Sequence, residues 1–144
     1  RHSFPTRRSS DLGAHILLGG TIPKRLGYYY PPTILTKVRP GMPAFDEELF
    51  GPVICLIEAS DDEEAISLAN QTPYGLGAAV FTRDLEKGEH IASTLIDAGT
   101  CFVNAIVASD PRLPFGGMKH SGLGRELAKE GILEFVNIKT VYIR

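Results

Sequence analysis

The chain has 144 residues, 43% of them hydrophobic and 22% charged, with a net charge of -2; this is the composition of an ordinary globular domain, long enough to hide roughly 68–70% of its unfolded surface. The charge balance excludes the basic excess that draws a protein to nucleic acid or an anionic membrane, and no apolar run reaches the roughly 20 residues of a membrane helix. Two cysteines, Cys55 and Cys101, sit inside apolar runs with no neighbouring His. They read as small buried side chains in a reducing, cytoplasmic compartment, not as metal ligands, a disulfide or an activated thiolate.

Residues 1–12 (RHSFPTRRSSDL) carry Arg, Ser and Pro without periodicity, and the composition changes abruptly at Gly13. They lack the apolar centre of a signal peptide and resemble translated read-through of a sequencing adapter. The expectation is a non-native N-terminal segment, with the natural protein extending upstream of Gly13. Residues 13–20 form an apolar run closed by Gly19-Gly20, the pattern of a buried strand entering a turn. Residues 28–38 (YYYPPTILTKV) are extended, with Pro31-Pro32 excluding helix locally. Residues 42–50 then form a turn or a single helical turn that delivers Glu47 and Glu48 to the Gly51-Pro52 break.

Strands and helices alternate from Pro52 onward. Residues 53–57 make a continuous apolar run, the mark of a strand covered on both faces. Asp61 caps a helix over 61–70, with Glu64 three residues later in capping-box style and Ala65, Ile66, Leu68 and Ala69 on its inner face. Thr72-Pro73-Tyr74-Gly75 ends it. A strand over 77–82 follows, and Asp84 caps a second helix whose Leu85, Ile91, Ala92, Leu95 and Ile96 recur at helical spacing until Gly99 stops it. Residues 100–104 form a third buried-type strand. The fold class is therefore α/β, with a parallel, right-handed β-α-β-α-β core. An irregular loop runs to Ser121, a helix spans about 124–129 until Gly131 breaks it, and residues 136–143 alternate as a half-buried terminal strand that needs an edge to pair with.

The chemistry is concentrated in Glu47-Glu48-Leu49-Phe50-Gly51-Pro52-Val53. A carboxylate accepts two hydrogen bonds from a sugar diol while an adjacent ring packs against a flat ligand, and Gly51-Pro52 fixes where the loop stops. A second Gly-rich stretch spans 113–126 (LPFGGMKHSGLGRE). It lacks both the strand-turn-helix setting of a dinucleotide fingerprint and the Gly-Lys-Ser/Thr ending of a P-loop, so its glycines read as tight turns and Arg125 and Glu126 as structural. Together with Gly27-Tyr28-Tyr29-Tyr30-Pro31-Pro32-Thr33 and Thr72-Pro73-Tyr74-Gly75-Leu76, these stretches make four ordered motifs. Over about 13–144 the chain resembles the C-terminal part of an NAD(P)-dependent aldehyde dehydrogenase, most of all the succinate-semialdehyde type.

The resemblance implies a catalytic-domain portion over 13–134 and an oligomerisation strand over 135–144, which would make the protein a homo-oligomer. Enzymes of that family attack an aldehyde with a nucleophilic cysteine, pass hydride to a nicotinamide and release the acid with a glutamate base. Both catalytic groups come from segments N-terminal to the part present here, so no catalytic residue is expected in this chain, which alone would be inactive. The resemblance assigns Glu48 to the nicotinamide ribose of NAD or NADP, Phe50 to the aromatic packed beside it and Leu76 as a third cofactor-side residue. On the substrate side it assigns Phe115 as an apolar wall and Ser109 as a hydroxyl donor to the distal carboxylate of a small aldehyde. The alternative is a non-catalytic module that only associates with other subunits.

Overall fold

The computed structural model describes residues 5–144, which divide into two compact units, the first ending at Thr72 and the second running from Pro73 to Arg144. In the first, Pro5–Asp11 forms helix α1, His15–Leu18 strand β1, Thr33–Thr36 strand β2, Pro43–Asp46 helix α2, Val53–Cys55 strand β3 and Asp62–Asn70 helix α3. Strand β2 lies at the centre of the sheet, antiparallel to β1 and parallel to β3. Its period-2 pattern buries Thr33 and Leu35 while Ile34 and Thr36 stay half-covered. Leu35, 0% exposed, anchors a cluster with Ala14, Val38, Met42 and Ala44, flanked by Phe45, Leu49 and Val53.

Helix α2 is the single turn expected between 42 and 50. Pro43 stands at its start, where its missing N–H costs nothing, and Glu47, extended, ends it. Helix α1, in the stretch set apart by composition, packs on α2: Ala44 N–H donates to the buried Ser9 hydroxyl at 2.8 Å. Arg8 forks onto both oxygens of Glu47 at 3.0 and 2.7 Å. Helix α3 is capped by Asp61, whose carboxylate accepts from Glu64 N–H at 2.8 Å. The reciprocal arm is shifted by one residue from a capping box, because Glu64 takes the N–H and hydroxyl of Ser60 at 2.6 and 2.7 Å. Those two bonds, the backbone one first, hold the Glu64 carboxyl below its ordinary pKa.

In the second unit, Tyr74–Gly75 is β4, Gly77–Val80 β5, Leu85–His90 helix α4, Thr100–Val103 β6, Met118–Lys119 β7 and Ala128–Leu133 helix α5. Strands β5 and β6 run parallel, joined through α4, which gives one β-α-β crossover. Strand β4 pairs antiparallel with β7. Asp84 accepts from Lys87 N–H at 3.0 Å and caps α4. Beyond β6, Asn104 clamps the preceding loop, accepting from Thr82 N–H and donating to Thr82 carbonyl, both at 2.8 Å.

Several expectations are corrected. The core is not one parallel sheet: β3 pairs with β2, and β5 pairs with β6 in a separate sheet. The run at 53–57 is not covered on both faces, since Ile54, Leu56 and Ile57 are exposed. Strand β1 lies at the sheet edge with His15, Leu17 and Leu18 exposed. In α3 only Ile66 and Leu68 of the expected inner face are half-buried, while Ala65 and Ala69 are exposed. Helix α4 passes at Ile91 into a π-helical turn ending at Leu95, before Gly99. The role of Gly99 is close approach, because a Cβ there would collide with the Gly116 carbonyl. Helix α5 starts later than expected and contains Gly131; Glu126 is engaged in a bridge with Phe115, so the chain cannot turn helical until past it. Cys55 and Cys101 are half-buried. Residues 136–143 pair with no strand among the described residues, and Ile138, Val141, Tyr142 and Ile143 are exposed instead of half-buried. Among the described residues no helix is long and apolar enough to cross a membrane, and no cluster of His, Cys, Asp and Glu could hold a metal ion.

Candidate functional site

Glu48 and Phe50 leave helix α2 on the short segment that leads into β3, so the packing of α2 on β2 sets where they emerge. The two neighbouring acids have different fates. The Glu47 carboxylate is occupied by Arg8, whereas Glu48 is exposed and makes no hydrogen bond or ion pair among the described residues. A free carboxylate with open lone pairs is the group a vicinal diol can bind.

Phe50 is 91% exposed and sits at φ +46°, a left-handed conformation that is costly for a bulky side chain. Its ring forms part of a groove of about 370 Å³ with Tyr28, Tyr30, Leu49, Pro52 and Val53. The Tyr30 hydroxyl shares a 2.8 Å hydrogen bond with Thr6. An exposed ring and two phenols along one groove, with an unpaired carboxylate two residues before the ring in sequence, are groups that suit the flat base and diol of a nucleotide. Tyr28 and Tyr30 belong to the motif at 27–33 but were given no site role from the sequence; the signal was available, since alternate residues of an extended run share a side. Phe50→Asn, a residue that tolerates the left-handed region, is expected to stabilise this chain by about 1 kcal/mol and to weaken nucleotide binding. Chemical denaturation and nucleotide titration measure the two effects, and a loss of stability would contradict the strain.

Leu76, Ser109 and Phe115 belong to the second unit. Leu76 and Phe115 are brought together, lining one groove of about 430 Å³ with Ser121, Arg125, Glu134 and Phe135. Phe115 is half-buried and held by two backbone bonds to Glu126, at 2.8 and 2.7 Å. Ser109 is exposed on the loop after β6 and does not line this groove. Arg112, three residues on, is not a free cation. Its guanidinium donates to both oxygens of Asp110 at 2.9 and 2.6 Å, and this pairing pushes the Asp110 carboxyl below its ordinary value and Arg112 above its own. Burial pushes the thiols of Cys55 and Cys101 up, away from the thiolate a nucleophile needs.

The aldehyde dehydrogenase family model matches residues 6–141. Among curated relatives, a probable NADP(+)-dependent succinate-semialdehyde dehydrogenase of Synechocystis sp. is 50% identical over 131 residues, 91% of this chain and 29% of that protein. The succinate semialdehyde dehydrogenase [NAD(P)+] Sad of Escherichia coli is 48% identical over 130 residues, 90% of this chain and 28% of its own. Among solved structures, that of Gox0499 superposes with a TM-score of 0.91 at 44% identity, over 97% of this chain and 30% of that one. Succinic semialdehyde dehydrogenase from Streptococcus pyogenes, in complex with NADP+, gives 0.90 at 39% identity over 96% and 30%. The chain thus spans about 30% of the length of these proteins, and with a family match over nearly all its residues it belongs to the aldehyde dehydrogenase family.

Proposed function

We propose that this chain is part of an NAD(P)-dependent aldehyde dehydrogenase that converts a short aldehyde with a distal carboxylate, succinate semialdehyde first of all, to the acid. Residues 13–134 contribute to the catalytic domain and 135–144 supply a strand that pairs with another subunit of a cytoplasmic homo-oligomer. The observation that carries the reading is the open Glu48 carboxylate two residues before the exposed, left-handed Phe50, which lines one groove. Glu48 accepts hydrogen bonds from a ribose diol and Phe50 packs beside the same ring system; Leu76 keeps the cofactor-side role that the resemblance gives it. A bound nicotinamide coenzyme would supply the hydride acceptor for oxidation of the aldehyde carbon, with water as the source of the second oxygen of the acid and one proton released. The nucleophilic cysteine and the glutamate base are assigned to sequence outside this chain. The raised thiol pKa of Cys55 and of Cys101 supports that division.

On the substrate side, Phe115 forms an apolar wall and the Ser109 hydroxyl donates to the distal carboxylate. With Arg112 already neutralised by Asp110, the hydroxyl is the donor this loop offers. Ser109→Ala in the intact dehydrogenase is expected to lower kcat/KM for succinate semialdehyde by about tenfold, the scale of one hydrogen bond to a charged group, and to leave butanal nearly unchanged. Steady-state assays with both aldehydes check it, and equal losses on the two would reject the role.

A further inference from the structure

The turn that carries Phe115 is closed by a small set of contacts centred on Arg125. Residues 115 and 126 are bonded to each other in both directions, so the segment between them is a loop with fixed ends. Inside it, Arg125 Nη1 donates to the carbonyl of Gly117 at 3.0 Å and to that of Gly124 at 2.6 Å. One cation therefore ties the two halves of the turn together. The Arg125 N–H donates to Glu134 Oε1 at 3.2 Å. Gly124, at φ +68°, leaves room for that carboxylate: a Cβ there would lie 2.8 Å from Oε1. The far side of the loop is held separately, by His120 N–H on the Pro73 carbonyl and Gly75 N–H on the Ser121 hydroxyl, both at 3.0 Å.

We infer that Arg125 is a positioning residue for Phe115, its guanidinium holding the 116–124 turn closed so that the ring keeps its place beside Leu76 in the shared groove. Carbonyl groups in a glycine turn have few side chains to hold them, and a charge-assisted donor that bridges two of them replaces that missing packing. The wall then discriminates between aldehydes by bulk because it cannot retreat. The inference rests on the assignment of Phe115 to the aldehyde side.

The test is a double-mutant cycle in the intact dehydrogenase, with kcat/KM measured for propanal and for benzaldehyde. Arg125→Ala is expected to shift the ratio of the two by about tenfold, the range set by small misfits in an apolar pocket, with KM for the nucleotide unchanged. In a Phe115→Ala background the same substitution is expected to leave the ratio where Phe115→Ala put it. An equal shift in both backgrounds, or a folded Arg125→Ala enzyme with an unmoved ratio, overturns the inference. If Phe115→Ala alone leaves the ratio unchanged, the assignment of the wall fails and the inference falls with it. Should Arg125→Ala not fold, Arg125→Lys, which keeps the cation but loses the planar guanidinium that reaches both carbonyls, carries the cycle with the same outcomes and a smaller expected shift.

Discussion

Glu48→Gln in the intact dehydrogenase is expected to lower kcat/KM for the nucleotide by about one to two powers of ten. The substitution keeps shape and one acceptor oxygen but removes the charge, and a hydrogen bond to a charged group contributes about 1.5–3 kcal/mol where its neutral counterpart contributes about 1. The carboxylate has no partner to lose among the described residues, so the thermal midpoint should stay within a degree or so of the parent. The same change at Glu47 acts differently. In this chain it breaks the fork with Arg8, which lies in the stretch read as non-native, so in the intact dehydrogenase it is expected to leave kcat/KM for the nucleotide nearly unchanged. Steady-state kinetics with NAD+ and NADP+ separate the two acids, and unchanged kinetics for both nucleotides in Glu48→Gln would remove the assignment.

The largest effect on stability is expected from Leu35→Ala. The side chain is 0% exposed and clusters with Ala14, with Val38 and Met42 of the turn before α2 and with Ala44 of α2, and Ile16 of β1 and Val53 of β3 pack against the cluster. Truncation in such a place costs about 2–5 kcal/mol, depending on how far the surroundings collapse into the void. The cluster around Leu35 is small, which leaves few side chains to close the gap and places the expected cost toward the upper end. Leu35→Met, which keeps the volume, should cost less than about 1.5 kcal/mol. Urea unfolding of both variants checks the pair; equal destabilisation would mean that the site is sensitive to shape, not to the lost volume.

Local rules carried over well from sequence to structure, and pairing rules did not. Asp61 and Asp84 cap their helices as expected, because an N-cap is decided within four residues. The single turn at Pro43 was legible for the same reason. Strand partners depend on residues far apart in sequence, and a parallel order inferred from alternating elements could not reveal that β3 faces β2 while β5 faces β6. The run at 53–57 misled because an apolar sequence reports tolerance of burial, not burial itself; Ile54 stays exposed. For the candidate site, the resemblance assigned Glu48, not Glu47, to the ribose. The physical contrast between them is made by Arg8, 39 residues away, which no local pattern contains. Likewise nothing in the spacing of Leu76 and Phe115 indicated a shared groove.

The stretch 136–143 (VNIKTVYI) has a further consequence for handling the protein. It is rich in β-branched and aromatic residues, holds a single charge at Lys139 and contains neither proline nor glycine, a combination that favours stacking of identical segments into cross-β assemblies. At high concentration each such tail is a ready template for the next molecule's backbone. Storage of the purified chain is therefore expected to depend on whether that segment is covered, and Thr140→Lys is expected to slow fibril growth as a gatekeeper charge.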